Sequence, residues 1–456
     1  MLPGEIWENR VLPNMGRRLG MSRHTFMREY PQIEPVIRPD SQLISQAEWN
    51  MIVSYYLVES PDSLLVEIPE YPVLSAWNFE TAEPLNSANL SSVISYLGVD
   101  SLTQTLIVGD ALTNRLHFLN PDFTPQKNIE FTSPVVDIDR NANGIFATLI
   151  GIMAPNDERE GQIVKINRQQ TGYKVLIDSL RRPVHTRIHD FDRDGSSDYL
   201  VCEYGNNLGQ LSIHYGSTDG SFTKKTVIAK SGAVKTILTN YDGEGGIDML
   251  VLFAQGDERI DLFLNRGDRH YERRTLLRFP PQYGSYDLQF TDIDEDGRNE
   301  LLYMNGDNGD YSNILKPYHG FRIFDRDGSG EYVQRFFFPM HGASTMELAD
   351  IDRDGDRDIA LTSTFPGEGE KAGPGVIILE NQRMGKELDF KPYQVDRSLG
   401  RPWTLVESFD ADRDGDLDLV AASMHMLSYV YFKRGITSQV DTTSSLLLLE
   451  NLRRNQ

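Results

Sequence analysis

Short apolar runs separated by Gly, Asn and Asp recur along most of the chain, many of them alternating apolar with polar positions. That texture predicts β-strands joined by tight turns. One class of run is unbroken: Tyr199-Leu200-Val201, Leu301-Leu302-Tyr303, Ile359-Ala360-Leu361 and Leu419-Val420-Ala421. A second class forms hairpins, at Arg115–Leu119, Gln162–Ile166, Gln210–His214, Ile260–Leu264, Gly320–Phe324, Gly375–Leu379 and Ser445–Leu449. Seven copies at a regular period predict an all-β fold, a seven-bladed β-propeller. Its first blade is expected to start near Asn89, with Leu106-Ile107-Val108 as the second strand. The last hairpin has no partner strand after it, and an open strand edge invites aggregation. The ring is therefore expected to close through an N-terminal strand, either Ser63–Ile68 or Val73–Asn78.

Residues 1–62 differ in texture. Trp7–Leu19 and Gln46–Leu57 space their apolar positions as helices do, with Ser45 as an N-cap and Ser60-Pro61 as a stop. The expected organisation is a helical segment over 1–62, a linker holding the closing strand over 63–85, and the propeller over 86–456.

The unbroken runs share a preface, Asp-x-Asp-x-Asp-Gly-x-x-Asp/Glu. Its full copies are Asp190, Asp192, Asp194 and Asp198; Asp292, Asp294, Asp296 and Glu300; Asp350, Asp352, Asp354 and Asp358; and Asp410, Asp412, Asp414 and Asp418. Two weaker copies are Asn240, Asp242, Glu244 and Asp248, and Asp137, Asp139, Asn141 and Asn143. Counted from residues 137, 190, 240, 292, 350 and 410, the spacings are 53, 50, 52, 58 and 60, one copy per blade. Carboxylates at alternate positions of a tight loop aim at one centre. Gly at position six permits the sharp turn, and position nine closes the shell. Position seven (Ser196, Arg298, Asp356 or Asp416) can add a backbone carbonyl. Calcium takes such a hard, flexible oxygen shell, and about four to five calcium ions are expected. No Cys or His enters the loops, which argues against zinc and copper. An EF-hand needs an acid at position twelve, where Val201, Tyr303, Leu361 and Ala421 stand. A similar stretch from Asp325 to Glu331 is too short for a ligand set and reads as a hairpin turn.

Composition narrows the function. The 456 residues include 39% hydrophobic ones, enough for a core, and the formal charge of −22 argues against nucleic-acid binding. The single cysteine, Cys202, lies in an apolar run and reads as a buried, inert thiol. No apolar stretch approaches the roughly 18 residues of a membrane span, and the first residues lack a basic and apolar leader. Calcium sites of extracellular strength fill at millimolar calcium. The expected home is therefore extracytoplasmic: secreted, periplasmic or anchored at the cell surface.

On the repeated acidic motif, residues 86 to 456 resemble the FG-GAP/VCBS repeat family of integrin-α-like propellers. The resemblance implies calcium between the first and second strands of a blade and binding on the opposite face of the disc. That face would carry Arg182, Tyr204, Tyr283, His341, Arg401, Trp403 and His425, placed to meet a glycan or protein partner. No serine-nucleophile signature, P-loop or dinucleotide fingerprint is present, so binding is expected ahead of catalysis. A polysaccharide lyase or hydrolase would draw on Arg182, Tyr283, His341 and His425. His24, His117, His185 and His214 read as structural or exposed. Trp7–Gly20 and Ile44–Tyr56 resemble the small cytochrome-c-like domain that precedes some bacterial propellers, without its Cys-x-x-Cys-His. If the chain is N-terminally truncated, that resemblance implies haem c, with Met15 or Met21 as axial ligand, and a periplasmic electron-transfer accessory. Otherwise the segment is a helical cap.

Overall fold

The computed structural model describes residues 1–21, 39–84, 90–307, 314–367, 369, 372–382, 388–433, 435–436 and 445–452. Their strands form seven four-stranded antiparallel sheets. Blades 1 to 6 cover 94–130, 135–180, 183–228, 233–278, 285–339 and 343–394, each in simple up-and-down order. Blade 7 takes three strands from 405–451. Neighbouring inner strands pack side by side around the whole ring, blade 7 against blade 1 included.

Burial peaks in the second strand of a blade and falls toward the outermost one. The second strands Asp198–Glu203, Asp248–Phe253, Glu300–Asn305 and Asp358–Ser363 are buried at every residue. These are the unbroken apolar runs: a strand covered by neighbouring blades on both faces has no solvent side to make polar. Each fully buried Leu, Ile or Val there contributes roughly 1.5–3 kcal/mol. Outer strands are largely exposed, as in Phe222–Ile228 with Lys224 and Lys225.

The ring closes through Phe79–Ala82, antiparallel to Leu446–Asn451 with Phe79 opposite Asn451 and Ala82 opposite Leu448. Neither expected segment is the strand. Residues 63–72 are irregular, and Val73 forms only an isolated parallel bridge to Gln394. Leu74–Trp77 make a 3-10 turn ended by Asn78 in the left-handed region (φ 59°), which redirects the chain into the blade. Trp77 anchors the turn by stacking on Tyr393 at 5.1 Å.

The N-terminal residues form two helical runs. Gly4–Ile6, a π-type turn over Trp7–Val11 and Leu12–Arg18 follow one another without a break. Gln46–Glu59 starts on a capping box, in which Ser45 and Glu48 bond reciprocally, and stops at Ser60. Fully buried Trp49 lies against Gly16, and Trp7 stacks on Tyr56 at 3.9 Å. Among the described residues this packing shows no cytochrome-type centre, and Cys202 is buried in blade 3. Among the described residues no helix is long and apolar enough to cross a membrane. His24 and Asn89, both named above, lie outside the described residues.

Candidate metal centre

The acidic loops of blades 3 to 7 share one backbone. Position four is left-handed in all five: Arg193, Gly243, Glu295, Arg353 and Arg413 have φ of 62°, 76°, 55°, 64° and 65°. Position six is left-handed too, at Gly195, Gly245, Gly297, Gly355 and Gly415, where only glycine is unstrained. The carboxylate at position one accepts the amide of position six, as Asp190 does from Gly195 at 2.9 Å and Asp292 from Gly297 at 2.9 Å. The carboxylate at position five accepts the amide of position seven: Ser196, Arg298, Asp356 and Asp416 donate at 2.7, 2.9, 3.1 and 3.0 Å.

Position nine plays a different part. Asp198 accepts the amides of Phe191 and Gly216, Asp358 those of Ile351 and Asn381, and Asp418 those of Ala411 and Asn451, all at 2.7–3.0 Å. One amide belongs to position two and the other to the end of the third strand, so this acid staples the loop to its blade. Glu300 keeps only the bond from Ile293, at 2.9 Å.

Carboxylate oxygens gather within 4.8 Å of one another in four loops: Asp190, Asp192 and Asp194; Asp292, Asp294, Asp296 and Glu300; Asp350, Asp352 and Asp354; Asp410, Asp412 and Asp418. Glu300 Oε1, Asp350 Oδ1, Asp410 Oδ1 and both oxygens of Asp416 are buried and meet no donor. Burial first, and repulsion from loop neighbours after it, pushes the Asp198 and Asp416 carboxyls up to about 6. The same causes push Glu300, Asp358 and Asp418 up to about 7. A hard divalent cation relieves both penalties at once, and an all-oxygen donor set of flexible carboxylates fits calcium. These four groups are the residues that would hold it. Bound there, the ion would supply the positive charge that the loops lack.

Sequence reasoning missed two acids beside these centres. Asp325, read as part of a turn, has a buried Oδ1 without a donor, and its charge raises the Glu300 carboxyl. Glu450, at the end of the third strand of blade 7, is raised by burial and then by Asp412 and Asp414. Both sit at the end of a third strand, which the blade's register brings under the loop. That register was the only signal that could have found them.

The weakest copy is not a loop. Asp137 and Asp139 lie in the strand Val135–Asn141 and serve as clasps between blades. Asp137 accepts the amide of Thr186 at 2.8 Å, and Asp139 that of Ile188 at 3.2 Å. Around the axis, other inner-strand charges do the same. Lys235 pairs with Asp287, and Ser408 donates to Glu347 at 2.6 Å. Glu407 faces Glu347 there, and burial and then that neighbour hold its carboxyl far above the usual range.

On the opposite face, the expected ligand residues bond to their own surroundings. Arg182 donates to the carbonyls of Met153 at 3.0 Å and Gly205 at 3.4 Å, and its guanidinium lies over the Tyr204 ring. The Tyr204 hydroxyl bonds to Gln255 at 2.9 Å. Tyr283 is stacked between Phe279 and Tyr318. His341 bonds the Lys316 carbonyl at 3.1 Å beneath the N-terminal segment, where Glu67 and Tyr71 line a 30 Å³ void with it. Arg401 pairs with Glu83 at 2.9 Å. His425 caps the helix Met426–Lys433 through Ser428. Trp403 is wholly buried and offers no surface to a ligand, because it fills the joint between blades 6 and 7. These residues belong to different blade junctions.

No curated protein matches the sequence. Several solved structures are similar to the chain at low identity. A streptogramin B lyase is 12% identical over 82% of this chain and 98% of its own, with a TM-score of 0.49. A gluconolactonase from Xanthomonas campestris is 16% identical over 65% and 92%, at 0.40. A protein from Lactobacillus plantarum is 9% identical over 66% and 85%, at 0.43. The FG-GAP-like repeat family matches residues 240–303, from the acidic loop of blade 4 into the second strand of blade 5, and so the chain carries a repeat of that kind within a seven-bladed propeller.

Proposed function

We propose that this protein is a calcium-ordered propeller scaffold that works outside the cytoplasm and presents its surface to a protein or glycan partner. The observation that carries the reading is the set of buried, donor-less carboxylate oxygens at Glu300, Asp350, Asp410 and Asp416, each in a repeated loop. A chain that leaves such groups unpaired at several equivalent places is built for a ligand that pairs them. Loops of this openness match the weak, extracellular range of calcium affinity, about 10⁻⁴–10⁻³ M, which supports the extracytoplasmic reading. The repeat match and the propeller fold suit a binding module.

Titration of calcium into chelator-stripped protein by calorimetry tests the metal. Saturable heat with sub-millimolar to millimolar affinity supports it, and an athermal titration with no change in the melting curve reduces the loops to polar turns. A glycan array probed with the calcium-loaded protein tests the partner: retention lost in chelator supports a glycan, and no retention turns the reading to a protein.

A further inference from the structure

The loop of blade 4 has the same turn as its neighbours and a different charge. Its first position is Asn240, whose Oδ1 still accepts the Gly245 amide at 3.2 Å. Neutral asparagine thus keeps the turn and removes one carboxylate. Its closing acid, Asp248, has its two oxygens bonded to the amides of Tyr241 and Asn265, both at 2.8 Å. Asp242 and Glu244 remain, and a cation already lies on them. Arg266 Nη1 reaches Asp242 Oδ2 at 2.8 Å and Glu244 Oε2 at 3.0 Å, while its Nε bonds Glu272 at 3.0 Å.

The local sequence fits this arrangement. Arg266 stands on the turn after the third strand of blade 4, Arg259–Asn265. Position seven of the loop is Gly246, and a Cβ there would lie 3.1 Å from the Asn265 Cβ. Glycine lets the turn that carries Arg266 close over the loop, whereas the other four loops carry Ser196, Arg298, Asp356 and Asp416 at that place. The charge environment differs accordingly. At position three the Glu244 amide, and with it the Arg266 guanidinium, holds the Asp242 carboxyl below its usual range. Asp294, at the same position in blade 5, is raised by burial and by its acidic neighbours.

Arginines lie near two other loops as well. Arg269 pairs with Asp192 at 2.6 Å, and Arg298 with Asp296 at 2.7 Å and Asp325 at 3.7 Å, and the carboxylate clusters of blades 3 and 5 stay together beside them. In blade 4 the guanidinium bridges the loop's two remaining acids, Asp242 and Glu244.

We infer that Arg266 is the resident cation of the blade 4 loop, so that this blade is ordered without metal while the loops of blades 3, 5, 6 and 7 take calcium. The inference rests on the calcium reading of those four loops. It deepens that reading by setting the number of ions at four and by giving the fifth loop a protein-borne counter-charge.

Hydrogen–deuterium exchange of the full chain, in millimolar calcium and in chelator, tests it peptide by peptide. Peptides covering 190–198, 292–300, 350–358 and 410–418 should exchange several-fold faster in chelator, and the peptide covering 240–248 should not change. In Arg266→Gln the 240–248 peptide should exchange several-fold faster than wild type in chelator, and Arg266→Lys should restore most of the protection. A wild-type 240–248 peptide that loosens in chelator with the others overturns the inference and leaves the calcium reading standing. If no peptide responds to chelator, the calcium reading fails. The Arg266→Gln comparison within chelator still decides the arginine's part: faster exchange at 240–248 supports it, and unchanged exchange overturns it.

Discussion

On one face of the disc, Glu300, Asp350, Asp410 and Asp416 hold buried oxygens that no protein donor reaches. On the other, Arg182, Tyr204, Arg401 and His425 each commit their polar atoms to a neighbouring segment. Both faces are rich in side chains that could bind something. The difference lies in what the fold has already done with them. A polar group satisfied within the chain holds the chain together. One that is buried and left unsatisfied carries a penalty that an outside partner can remove. Residue type alone cannot separate the two cases.

The contrast is broken or sharpened most strongly by removing the proposed ion. Four sites at calcium well above their dissociation constants should together raise the melting temperature by on the order of 10 °C relative to chelator. Equal melting curves would erase the difference between the faces.

The next effect separates staple from ligand within the loops. Asp358→Ala frees the amides of Ile351 and Asn381 and should cost about 2–4 kcal/mol in urea unfolding, in calcium and in chelator alike. Asp354→Ala, in the blade 6 carboxylate group, should destabilise mainly in calcium, because in chelator it removes a repelling charge. If both variants depended equally on calcium, position nine would be a ligand first and a staple second.

The opposite face predicts a smaller and calcium-independent loss. Arg182→Ala removes the bonds to the Met153 and Gly205 carbonyls and should cost about 1–2 kcal/mol, by the same amount with and without calcium. A stable variant would free that arginine for a ligand after all.

The smallest effect concerns the axis between the faces, where Glu347 and Glu407 lie beside each other with both carboxyls raised, by burial first. The folded chain therefore keeps protons that the unfolded chain releases just above the usual carboxyl range. Stability contributed by this pair is greatest at low pH and falls as pH rises toward the folded values. Glu407→Gln cannot ionise. It should raise the melting temperature by about 1–3 °C at pH 8 and leave it nearly unchanged at pH 5. The reverse order would show that the pair is ionised and held by Lys235.

Much of the molecule is legible without coordinates. Unbroken runs such as Tyr199-Leu200-Val201 mark the doubly covered second strands, and the spacing of the acidic motifs marks the blades. The closing strand was expected from strand arithmetic, but its place was not. Val73–Asn78 has strand-like residues, and the stacking of Trp77 on Tyr393 with left-handed Asn78 decides that pairing begins at Phe79. The Asp137 copy misled because its spacing matches a loop, while Val135–Asn141 continues as a strand and turns its acids toward blade 3.

The sequence by itself determined the seven repeats, the glycine at position six and the carboxylates gathered behind it, because these depend on local backbone geometry and on residues close in the chain. Only the tertiary structure decided which acids are left without a donor, that Asp325 and Glu450 join the loops, that Arg266 covers blade 4, and that the polar residues of the opposite face are already bonded. Those outcomes turn on which amide or guanidinium a distant segment brings within about 3 Å, and hydrogen bonds and charge pairs act only at that range.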